Sequence, residues 1–141
     1  MDQILEGLYL GDLQAASYKD LLLKFGITHI LTVAKDHPPQ FPSTFVYKVV
    51  PVHDMPDTNL QRRFPDCITF IKSALAKGGR VLVHCFAGVS RSATIVIAYL
   101  MQEHSLTMHA AFKFVKSKRA FINPNEGFRE QLVQFQKELR D

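Results

Sequence analysis

Two hydrophobic rhythms, one of period two and one near 3.6, divide this chain into elements. Residues 4–10 form a short apolar run that stops at Gly11 and read as a strand. Residues 13–25 read as helical, closed by Gly26 at a C-cap position. The β-branched runs at residues 28–33 and 44–52 predict two more strands, separated by a loop that His37-Pro38-Pro39 and Pro42 mark. Leu60, Phe64, Ile68, Ile71 and Leu75 recur at spacings of three and four. That is one face of a helix, starting or kinking near Pro65 and ending at Gly78-Gly79. Residues 80–84 are a short apolar strand of the kind buried in a parallel sheet. Residues 93–101 have strand-like β-branching, but their place after a Gly-containing loop predicts a buried helix.

Thr107 then suits the N-cap of a helix burying Met108, Ala111, Phe112 and Val115. Asn123-Pro124-Asn125 interrupts, and a last helix carries Phe128, Leu132, Phe135 and Leu139. The order strand, helix, strand, strand, helix, strand and three helices predicts an α/β fold. Its central, mostly parallel sheet would be flanked by helices on both faces.

Composition narrows the class. One domain over residues 1–141 is expected from the length and from the absence of repeats or linkers. A hydrophobic share of 47% and a charged share of 21% are ordinary for a globular protein. No apolar run approaches the roughly 18–20 residues of a membrane span. The first residues lack a basic n-region, and position 2 is Asp2 rather than Gly, so neither signal peptide nor myristoyl anchor is expected. Two cysteines, Cys67 and Cys85, are too few for a disulfide framework, which predicts a reducing compartment: the cytoplasm, with the nucleus also open. A net charge of +4 suits a phosphorylated partner without demanding nucleic acid. A monomer is expected. No paired zinc spacing occurs, so neither metal nor other cofactor is expected.

The chemistry lies in residues 81–94, VLVHCFAGVSRSAT. A buried strand delivers Cys85 to the carboxyl end of the sheet, where open α/β folds bind ligands. The segment Phe86, Ala87, Gly88, Val89, Ser90 is short enough that it must curl, and Arg91 opens the next helix. A curled loop turns its N–H groups inward as an anion nest, reinforced by the positive end of that helix. Arg91 would bind two phosphate oxygens as a planar fork. The same field is expected to hold Cys85 as a thiolate near neutral pH. His84 reads as a buried hydrogen-bonding support rather than a general base, and Ser92 places a hydroxyl near the sulfur. Cys67 lies in an amphipathic pattern and reads as structural.

His84-Cys85, five residues and then Arg91-Ser92 match the H-C-x5-R-[ST] signature of the protein tyrosine phosphatase superfamily. HCFAGVSRSAT with AYLM after it, GLYLG near the start and Asn123-Pro124-Asn125 late in the chain resemble its dual-specificity phosphatases, of the small atypical type. The resemblance covers essentially the whole chain. It implies a five-stranded sheet and hydrolysis of phosphate monoesters on tyrosine, serine and threonine through a phosphocysteine. It also implies a general acid on the loop after a strand, a few residues before an Asn-Leu pair. That places the acid at Asp54, with Asp57 as the alternative. By the same analogy Asn125 supports the catalytic loop. The chain has no room for the pocket-deepening loop of tyrosine-specific relatives, so the cleft should be shallow. The expected partner is a phosphorylated protein. A phosphoinositide or RNA 5′-phosphatase, or a non-catalytic phosphoprotein-binding module, are the alternatives. Lys113, Lys116, Lys118 and Arg119 read as a solvated helix face.

Overall fold

The computed structural model describes residues 1–140. Five strands form one sheet: β1 (Asp2–Leu5), β2 (Leu8–Gly11), β3 (His29–Thr32), β4 (Val46–Val49) and β5 (Val81–His84), in spatial order β1-β2-β5-β3-β4. All neighbours pair in parallel except β1 with β2. The mostly parallel, five-stranded α/β sheet is therefore the one expected. The first strand is not a single run. Glu6-Gly7 folds residues 2–11 into an antiparallel hairpin, with Asp2 opposite Leu10.

Side chains alternate between the two faces of the sheet, as period two requires. Val81 and Val83 of β5 join the larger core, and Leu82 joins the smaller one. The smaller core is covered by α1 (Leu13–Ala16) and α2 (Lys19–Lys24) through Ala16 and Leu22. The expected single helix over 13–25 is thus two. Its break falls at Ser17, whose hydroxyl donates back to the Leu13 carbonyl at 2.7 Å, a bond that competes with helix propagation.

The larger core is covered by α3 (Phe64–Ala76), α4 (Arg91–Glu103), α5 (Met108–Lys118) and α6 (Glu126–Arg140). Pro65 lies in the first turn of α3, where its missing N–H costs nothing. Residues 92–101 of α4 are all buried. A helix enclosed on every side needs no polar face, which is why this β-branched run is helical. Thr107 caps α5 as expected, accepting from the Ala110 amide at 3.1 Å. Met108 and Phe112 are only partly buried and Leu139 is exposed, so the apolar stripes of α5 and α6 are narrower than the sequence pattern suggests.

The register aligns Gly11, His84, Thr32 and Val49 in one row at the carboxyl ends of the four parallel strands. Cys85 is the first residue beyond that row.

Candidate active site

Between β5 and α4 the chain makes one tight circuit, and its carbonyls are all held. The Phe86 carbonyl accepts from the Leu13 amide at 3.0 Å and the Val89 carbonyl from the Asn123 amide at 2.7 Å. The Gly88 carbonyl accepts from Arg119 Nε at 2.9 Å and the Ala87 carbonyl from Arg119 Nη2 at 3.3 Å. The Ser90 carbonyl accepts from the Thr94 amide at 2.9 Å, inside α4. In a trans peptide the N–H points opposite to the preceding carbonyl. Pinning these five carbonyls to surrounding elements therefore turns the amides of Ala87, Gly88, Val89, Ser90 and Arg91 the other way, into the circuit. The Gly88 amide shows the direction, since it donates to Cys85 Sγ at 3.3 Å. Ser92 Oγ stands 3.0 Å from the same sulfur. The Gly88 amide thus donates to the sulfur, and between Cys85 and Ser92 either group can be the donor.

Arg91 begins α4 at the mouth of the loop. Its Nη1 donates to the Val52 carbonyl at 2.9 Å, while its Nε is buried with no hydrogen-bond partner among the described residues. One edge of the guanidinium is thus anchored and a buried donor is left over. An unmatched buried donor costs free energy unless an acceptor meets it. An oxyanion in the loop is such an acceptor.

His84 is buried and bridges β5 to β3. A carbonyl can only accept, so Nδ1 carries the proton that goes to the Cys85 carbonyl at 3.2 Å. Nε2 is then free to accept the Thr32 hydroxyl at 2.8 Å. Burial pushes the His84 imidazole down to about 4 from 6.5, so it is neutral in the folded protein. The unfolded chain takes up that proton below pH 6.5 and the folded one only near 4. Stability is therefore present above about pH 6.5 and is lost as pH falls towards 4, by about 3 kcal/mol in all. Urea unfolding from pH 7 to 4 should show this loss, and His84→Gln should flatten it. Parallel curves for the two proteins would remove His84 as the cause.

Asp54 sits on the exposed loop after β4, two residues beyond the Val52 carbonyl that anchors Arg91. Asn125 joins this loop to the one between β5 and α4. Its Nδ2 donates to Asp54 Oδ1 at 2.9 Å, its amide to Ser90 Oγ at 3.0 Å, and its Oδ1 caps α6 by accepting from the Phe128 amide at 2.9 Å. Asp57 lies farther along in an exposed turn and makes none of these contacts. Cys67 is fully buried in the larger core, and burial pushes its thiol up to about 12, as a structural residue requires.

Three residues that hold the site escaped the sequence reading. Gln131 on α6 accepts from the Leu60 and Gln61 amides at 2.9 and 2.7 Å and donates to the Thr58 carbonyl at 2.8 Å. Gly127 lies so close to the loop after β4 that a Cβ there would stand 1.9 Å from the Pro56 carbonyl oxygen. Arg119 is 5% exposed, not a solvated cation, and holds two loop carbonyls. Gly127→Ala should displace the Asp54 loop, costing about 1–3 kcal/mol in stability and at least about tenfold in kcat. Thermal melting and steady-state kinetics would check both.

A buried cysteine just past a parallel strand, a loop with its carbonyls turned outward and an arginine opening the next helix define a cysteine-dependent phosphatase fold. The family model described as dual specificity phosphatase, catalytic domain, matches residues 8–138. The chain belongs to that family. It is 52% identical over 135 residues to dual specificity protein phosphatase 1 of Arabidopsis thaliana, covering 96% of this chain and 68% of the relative. The crystal structure of human tyrosine phosphatase-like serine/threonine/tyrosine-interacting protein superposes with a TM-score of 0.96 at 39% identity, over 100% of this chain and 98% of that one. Human DUSP28 superposes with a TM-score of 0.94 at 33% identity, over 99% and 98%.

Proposed function

We propose that this chain hydrolyses phosphate monoesters on protein tyrosine and serine or threonine residues through a phosphocysteine at Cys85. The observation that carries this reading is the loop whose carbonyls 86–90 are all held outward, leaving amides 87–91 to face a sulfur that accepts from Gly88 and stands 3.0 Å from Ser92 Oγ.

In the first step Cys85 Sγ attacks phosphorus. The S–P bond forms, the ester P–O bond breaks, and the departing oxygen takes the proton of Asp54. The loop amides and the Arg91 guanidinium stabilise the charge spread over the equatorial phosphoryl oxygens. In the second step a water oxygen attacks phosphorus and gives its proton to Asp54. The S–P bond breaks, and the Ser92 hydroxyl donates to the leaving thiolate. His84 and Asn125 act as supports, the one holding the start of the loop and the other tying it to Asp54.

The substrate class follows from what stands around the loop. Phe86 is exposed and stacks on His37 at 6.1 Å between ring centroids, giving an open, aromatic rim. Phe86, Ala87, Val89 and Ser90 offer no lysine to meet extra phosphates, which favours phosphoprotein over inositol lipid or RNA. Cys85, Arg91 and Asp54 occur together, which favours an enzyme over a binding module on the same fold. A reducing, cytoplasmic setting fits two free, buried cysteines.

Turnover of a phosphotyrosine peptide, a phosphothreonine peptide, a phosphoinositide and a 5′-triphosphate RNA should be measured side by side. Both peptides should be hydrolysed, without added metal and with inhibition by vanadate. Faster turnover of lipid or RNA would overturn the substrate class.

A further inference from the structure

We infer that Arg119, held by Asp2, is the positioning residue that sets two of the inward amides, so that oxyanion affinity depends on an ion pair between the N-terminal strand and the end of α5. The inference rests on reading the 85–91 loop as an oxyanion cradle.

The helix α5 ends at Lys118, and Arg119 leaves it in extended conformation, with φ −139° and ψ 94°. That turn carries the side chain beneath the loop, where it is 5% exposed. Each edge of its planar fork is used. Nε donates to the Gly88 carbonyl at 2.9 Å, Nη2 to the Ala87 carbonyl at 3.3 Å, and Nη1 to Asp2 Oδ2 at 2.8 Å. The Phe121 ring covers the guanidinium, 4.3 Å from centroid to Cζ.

The two carbonyls it holds belong to the peptide planes whose N–H groups are those of Gly88 and Val89. Without the fork, these planes have no donor to keep their oxygens outward. Gly88 has φ +67°, and a Cβ there would meet both Arg119 Nη2 and the Gly11 carbonyl oxygen at 2.6 Å. The loop is thus moulded onto the guanidinium. A lysine would carry the same charge but could not hold two carbonyls and a carboxylate in one plane. Asp2 touches no residue of the loop in this network. It acts by neutralising and aiming Arg119, whose burial would otherwise be costly.

The test is aryl phosphate kinetics, tungstate inhibition and melting temperature for wild type, Arg119→Lys, Arg119→Ala, Asp2→Asn and the double variant Asp2→Asn/Arg119→Ala. Arg119→Lys should raise KM and the tungstate inhibition constant together, by about ten- to a hundredfold, beyond what any change in melting explains. Added guanidinium ion should restore part of the activity of Arg119→Ala, saturably. Asp2→Asn should act in the same direction but less, and the double variant should resemble Arg119→Ala alone, because Asp2 works only through Arg119. Unchanged tungstate affinity in both Arg119 variants, or additive effects of the two substitutions, would overturn the inference while leaving the phosphatase reading intact. A wild type that neither turns over phosphate esters nor binds tungstate would overturn both.

Discussion

Cys85→Ser should reduce aryl phosphate hydrolysis to background, a loss on the order of 10⁴-fold or more. The substitution exchanges one atom in a site that is otherwise complete. Serine is slightly smaller and keeps an acceptor on the same side of Ser92 and the Gly88 amide, so the fold should be little affected. What is lost is the thiol proposed as nucleophile: a serine hydroxyl is a much weaker one without a base to take its proton. His84, the nearest imidazole in sequence, is occupied on both nitrogens by the Cys85 carbonyl and Thr32. The cradle does not need the sulfur, since it consists of loop amides and Arg91. The variant should therefore still bind a phosphopeptide, measurable by calorimetry. Arg91→Lys should do the reverse. It leaves the sulfur in place but should weaken oxyanion binding, because an ammonium cannot bond the Val52 carbonyl and span two phosphate oxygens together.

Asp54→Ala should lower kcat by about 10²–10⁴-fold and flatten one limb of its pH profile. The first step should slow most for substrates with poor leaving groups, which need the proton most, whereas with an activated aryl ester the loss should fall on the second step, where Asp54 is the base. Asp57→Ala should stay close to wild type. The distinction rests on Asn125, whose backbone amide donates to Ser90 Oγ and whose side chain donates to Asp54, whereas Asp57 lies in an exposed turn and makes neither contact. If Asp57→Ala produced the large effect and Asp54→Ala did not, the acid would have to be reassigned.

The parts of this molecule that could be read from sequence are those in which neighbours in the chain are neighbours in space. Residues 84–92 pass from strand to loop to helix without leaving the site, so spacing alone located Cys85, Ser92 and Arg91. The hairpin at the start was misread because residues 4–10 are apolar almost throughout, and a single Gly7 does not by itself announce a turn. The break at Ser17 depends on a local hydroxyl bond that competes with the helix, not on the hydrophobic pattern.

Arg119 was hidden for a different reason. Its partners Gly88 and Asp2 are 31 and 117 positions away, and it follows three lysines that do face solvent. Nothing in a run of basic residues marks the one that turns inward. Gln131 is likewise joined to Leu60 across 71 positions. Such long-range polar contacts are set by how α5 and α6 pack on the sheet, which a single chain pattern does not encode.

The most direct measurement is acid-quench trapping of the intermediate, using a radiolabelled aryl phosphate with a good leaving group. In Asp54→Ala the first step should proceed and the second should stall for want of a base, so that phosphoryl label accumulates on the peptide containing Cys85. In Cys85→Ser no label should appear. Label on any other residue, or steady turnover that survives the loss of Cys85, would contradict the account.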